Sequence, residues 1–188
     1  MRNVLLPVVA AAIGLVTVSA NAAVYTTVLS SLNQVPPQES NATGSATVRV
    51  FGNLLSADVI FANLKSGFEF GHIHCCDPPG ANAPVAIPFV DFPQVTTGEY
   101  KHSFNLLDTS VYAAEFLKTN GGTAVSARDA LITGLNAGLS YVNLHDAPAY
   151  PAGEIRGQLA PAAAVPEPAA LVLFGLATLA LVARHRRV

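Results

Sequence analysis

Apolar and polar residues alternate with a period of two through the middle of the chain, which marks out a series of short strands. Val24 to Ser31 is rich in β-formers and is stopped by Leu32-Asn33-Gln34-Val35-Pro36-Pro37. From Ser45 to Phe51, Ala46, Val48 and Val50 share one face and Thr47 and Arg49 the other. Gly52-Asn53 then reads as a tight hairpin turn into Leu54 to Phe61. After a break at Lys65-Ser66-Gly67, a strand is expected from about Phe68 to His74. Val85 to Val90, interrupted by Pro88, is at most an edge strand. Gly98 to Phe104 sets Tyr100, His102 and Phe104 against Glu99, Lys101 and Ser103.

The period changes between about 108 and 136. Asp108 or Thr109 can cap a short helix running to about Leu117, and Ser126 with Asp129 resembles a capping box for a second helix ending near Gly134 or Leu135. Both read as one insertion lying over a sheet edge. Alternation returns in Tyr141 to His145 and Glu154 to Leu159, around Pro148-Ala149-Tyr150-Pro151. With Val142, Leu144, Ile155, Gly157 and Leu159 on the core, His145 falls on the outer face near Glu154 and Arg156. Short strands with Gly and Pro turns predict an all-β fold: a single antiparallel β-sandwich of immunoglobulin-like or Greek-key type with a short helical insertion.

The two ends carry a different pattern. Arg2, the apolar run Val4 to Val18 and Ala20-Asn21-Ala22 have the charged start, apolar core and small-x-small site of a secretory signal over residues 1–22. At the other end Pro166-Glu167-Pro168 precedes an uncharged run, Ala169 to Ala183, closed by Arg184-His185-Arg186-Arg187. Fifteen helical residues cover only about 22 Å, short of the roughly 30 Å hydrocarbon core, so the helix is a marginal anchor. The trailing arginines place the C-terminus in the cytoplasm. This end resembles the PEP-CTERM sorting signal of Gram-negative bacteria, over residues 161–188. The resemblance implies recognition by an exosortase and the export machinery, transient residence in the inner membrane, and delivery to the cell surface or extracellular matrix.

Removing both ends changes the charge. The whole chain of 188 residues has a formal charge of −2. Residues 23–165 hold six basic residues (Arg49, Lys65, Lys101, Lys118, Arg128, Arg156) against eleven acidic ones, or −5. A domain this acidic is a poor match for nucleic acid, which calls for a basic stripe.

The chemistry concentrates in Gly71-His72-Ile73-His74-Cys75-Cys76, which holds two of the five histidines and both cysteines. On a strand His72 and His74 point the same way, so they can supply two ligands to one copper or zinc ion. His145 would be a third imidazole and His102 a fourth, with Asn143 and Glu154 available to orient them and Arg156 as an anion contact. The alternative is purely architectural: His145, Glu154 and Arg156 form a hydrogen-bonded pin across the last hairpin, with His72 and His74 stacked on it. In an oxidising compartment Cys75 and Cys76 can form a vicinal disulfide, bond other chains, or be held by metal.

Gln34-Val35-Pro36-Pro37, Gly44, His72-Ile73-His74, Tyr141-Val142-Asn143-Leu144-His145 and Gly153-Glu154-Ile155-Arg156-Gly157-Gln158-Leu159 together resemble the CHRD domain, the repeat first described in chordin, over about residues 23–160. Cys75-Cys76 departs from the small or polar loop commoner there. The resemblance implies a β-sandwich and fixes no activity. The function expected is a non-catalytic binding or structural module that meets matrix polysaccharide or a surface protein. The alternative is a copper- or zinc-binding protein, in its redox form reminiscent of copper-zinc superoxide dismutase.

Overall fold

A computed structural model describes residues 22–66 and 69–162. The expected secretory signal, Pro166-Glu167-Pro168, the helix expected at 169–183 and Arg184, Arg186 and Arg187 lie outside them. No helix among the described residues is long and apolar enough to cross a membrane.

Among the described residues nine strands form one antiparallel sheet: β1 (Ala23–Ser30), β2 (Thr43–Phe51), β3 (Leu54–Ala62), β4 (Glu69–Cys75), β5 (Val85–Pro88), β6 (Gly98–Asn105), β7 (Ser140–Asp146), β8 (Tyr150–Gln158) and β9 (Ala160–Pro161). The spatial order is β5-β4-β7-β8-β1-β2-β3-β6, with β9 beside β1. The all-β expectation holds, and the two layers are the two halves of one continuous sheet. Its far ends meet: Phe89, just past β5, stacks on Tyr100 of β6 at 4.8 Å between ring centroids. Between the halves lies a single apolar core that includes Val48, Leu55, Phe61, Ile73, Ile87, Val142, Leu144 and Ile155.

The alternation in the sequence becomes this core face. Ala46, Val48 and Val50 of β2 are buried, and Gly52 takes a positive φ of 58° in the turn that pairs Phe51 with Leu54. Gly44 is fixed by close approach, since a Cβ there would lie 2.6 Å from the Ile60 carbonyl oxygen. Val85–Pro88 is an edge strand, as the proline predicts.

The helical segment differs from expectation in two respects. Thr109–Val111 is only a 3-10 turn, followed by α1 (Ala114–Thr119) and α2 (Ala124–Asn136). The capping box of α2 is Thr123 with Ser126, one turn earlier than Ser126 with Asp129. Starting there, α2 turns Ala127, Leu131 and Leu135 into the core at helical spacing, so the insertion is part of the core as well as a cover. Tyr25 Oη locks its end by donating to Asn136 Oδ1 at 2.7 Å.

Candidate metal centre

The register of β4 against β7 builds the centre. Phe70 pairs with His145, His72 with Asn143 and His74 with Tyr141. With period two these six side chains share one face, while Ile73, Cys75, Val142 and Leu144 fill the core on the other. The face reads as an outer one from sequence, yet every residue of β7 is buried. Loops and the start of β8 cover it: Gln34 Nε2 donates to Asn143 Oδ1 at 2.7 Å, and Ala83 and Pro151 lend their carbonyls to the histidines.

His72, His74 and His145 each offer one ring nitrogen, and these atoms lie within 4.8 Å of one another. His72 Nδ1 and His145 Nε2 are 3.2 Å apart. Two nitrogens bound to one ion at about 2.0–2.1 Å and the tetrahedral angle would stand about 3.3 Å apart, so this pair is already at ligand spacing. The far nitrogens are held as ligands require. His74 Nδ1–H donates to the Ala83 carbonyl at 2.8 Å and His145 Nδ1–H to the Pro151 carbonyl at 3.0 Å, which leaves both Nε2 atoms unprotonated; that of His145 accepts the His72 Nδ1–H, a bond that an ion between the two rings would replace. His74 Nε2 is buried and has no hydrogen-bond partner among the described residues. Buried polar atoms are normally satisfied, and an ion would satisfy this one.

A model of the CHRD domain family matches residues 25–159. The chain belongs to the CHRD family. A second model, the PEP-CTERM protein-sorting motif, matches residues 164–187. This CHRD protein is therefore exported by an exosortase-type sorting signal to the cell surface or extracellular space. No curated protein and no solved structure matches it.

Burial lowers the basicity of the three clustered imidazoles of the CHRD domain. It pushes His72 down to about 3, helped by the charges of His145 and His74. It brings His74 to about 4 against the opposing hydrogen bond to Ala83, with His145 and Arg156 lowering it further. His145 is lowered by the same desolvation. Neutral imidazole is the form that binds metal. In the metal-free protein these groups sit below the ordinary value of 6.5, so below that pH the unfolded chain takes up more protons than the folded one. Their contribution is full above about 6.5 and is lost as pH falls toward about 3. Urea midpoints of the metal-free chain should fall steadily from neutral pH to about pH 4; a flat profile would contradict neutral, buried rings.

The other residues singled out from sequence go elsewhere. His102 lies on β6, paired with Ala57, its ring 4.7 Å from Phe104; it is no member of the triad. Glu154 is fully buried, and its carboxylate takes Ser40 Oγ and, at 3.1 Å, the Lys65 amide. A bulge between Leu144 and Asp146 breaks the β7–β8 register beside His145. His145 bonds across the hairpin to the Pro151 carbonyl of β8, while Glu154 and Arg156 bond to segments outside it, and among the described residues no hydrogen bond joins the three side chains to one another. Arg156 is not an open anion contact either: it is 3% exposed, donates to Asn82 Oδ1 at 3.0 Å and the Ala81 carbonyl at 2.8 Å, and stacks 3.5 Å above the Tyr141 ring. Asn143 holds Gln34 and the Ala152 carbonyl, 3.3 Å away, and touches no ring nitrogen through these bonds. Cys75 and Cys76 form the vicinal disulfide, with Cys75 on the core side of His74. Tyr141 is the participant that the sequence pattern leaves unassigned: its ring lies parallel to His74 at 4.6 Å. Its cross-strand position opposite His74 was the available signal, once β4 and β7 are known to pair.

Proposed function

We propose that this exported CHRD domain is a metal-binding module that holds one copper or zinc ion on His72 Nδ1, His74 Nε2 and His145 Nε2 at the surface or in the matrix of a Gram-negative cell. The observation that carries the reading is the unpartnered, buried Nε2 of His74, aimed from a ring whose other nitrogen is already tied to a carbonyl. Three imidazole nitrogens suit copper or zinc. The donor set contains no thiolate, because both sulfurs are in the disulfide.

The role of the ion is binding rather than turnover. A redox site handling small anions would use an accessible guiding cation, whereas Arg156 is 3% exposed, donates to Asn82 and Ala81 and lies on the Tyr141 ring. The test is to strip the full chain with a chelator and reload it with Cu(II) or Zn(II) against a competing dye, reading the ligands by X-ray absorption. The expected result is one tight equivalent with imidazole scattering. Failure of both ions to compete would overturn the proposal.

A further inference from the structure

On the side where β1 ends and β2 begins lies an open cleft of about 1190 Å³, with none of the three histidines in its lining. One wall is the segment 38–43 and the other the segment 63–65, and the buried carboxylate of Glu154 fastens both. Its Oε1 accepts Ser40 Oγ from the first wall and its Oε2 accepts the Lys65 amide, at 3.1 Å, from the second. The first wall is tied further by Tyr150 Oη donating to the Glu39 carbonyl at 2.5 Å. The second is tied by the Leu64 amide donating to the Thr96 carbonyl at 2.9 Å. Asn63, held by these bonds, takes a left-handed φ of 63°. The cleft is thus built before any ligand arrives, as binding sites generally are.

Its lining leaves several polar side chains open to a ligand. The side chains of Asn41, Thr43, Asn63 and Thr96 make no hydrogen bond within the described residues, and all four are exposed. Exposed Leu32 and half-buried Tyr150 add apolar surface at the rim. The cleft's charged side chains are one of each sign, Glu39 and Lys65. Planar amides and hydroxyls match the vicinal hydroxyls of a polyol, apolar rim groups match the C–H face of a sugar ring, and balanced charge disfavours an ionic ligand. A peptide strand would instead need a row of free backbone groups.

We infer that this cleft is a binding site for a neutral oligosaccharide chain, independent of the histidine triad. The exported full chain would be titrated calorimetrically with neutral oligosaccharides of glucose, galactose and mannose, and with an oligoglucuronate as the charged comparison. Binding of a neutral chain is expected. It should weaken by about tenfold or more in Asn41→Ala/Asn63→Gly, which removes two amide partners while glycine keeps the positive φ. Metal content and thermal midpoint of that variant should stay at wild-type values. Binding of none of the neutral chains, preference for the oligoglucuronate, or wild-type affinity in the double variant would overturn the assignment. Loss of metal from the wild-type chain would leave it standing.

Discussion

Replacing His74 with alanine is expected to weaken copper or zinc binding by more than about a hundredfold, beyond the range usual for residues that merely support ligands. Three features combine in this ring. It carries the Nε2 that has no other partner, its Nδ1 is fixed by the Ala83 carbonyl, and its plane is fixed by Tyr141. With it gone, His72 and His145 remain as a pair 3.2 Å apart at their facing nitrogens, and two imidazoles do not complete a site. The same substitution removes a buried, 8% exposed side chain, so the metal-free variant should also lose stability. Measuring the two effects separately is informative: affinity by dye competition, stability by urea titration of chelated protein. A variant that is destabilised but binds metal like the wild type would show that His74 is only packing.

Replacing Arg156 with alanine should cost about 3 kcal/mol, since hydrogen bonds from a charged donor are worth about 1.5–3 kcal/mol each and this buried side chain makes two, to acceptors at the edge of the core. The effect reaches the centre through two routes. Arg156 holds Asn82 and Ala81, next to the Ala83 carbonyl that orients His74, and it presses on Tyr141, which stacks on His74. Metal affinity should therefore drop by about 10–100-fold, the range for groups that orient ligands. Arg156→Lys keeps the charge but not the planar fork or the stacking face, so it should recover little of either loss. An alanine variant with a wild-type urea midpoint would contradict this arrangement.

Much of the fold could be read along the chain because it depends on local periodicity. The β2–β3 hairpin follows from alternating valines and Gly52-Asn53, and the edge position of Val85–Pro88 follows from Pro88. The pattern alone does not place the cap of α2, since Thr123 with Ser126 and Ser126 with Asp129 offer similar side chains; in the structure the first is used, which brings buried Ala124 into the helix. The histidines show a similar division. That His72 and His74 share a face is a property of one strand. That His145 joins them depends on β4 pairing with β7, a contact between segments about 70 residues apart, which no local pattern announces. The burial of that face was also hidden, because the covering segments near Gln34 and Ala83 are irregular and act through carbonyls and amides. Gly153 shows the same limit: its φ of 127° and its closeness to Asn143 and Gln34 explain a glycine that the sequence offers only as part of a motif.

The central claim, that the triad holds an ion, is tested most directly by counting metal in the exported chain. Copper and zinc would be quantified per chain in the purified wild type and in His72→Ala/His74→Ala, after reloading and removal of loose ions. One ion per wild-type chain and essentially none in the double variant is the expected result. No ion in the wild type after reloading, or equal amounts in both, would contradict it.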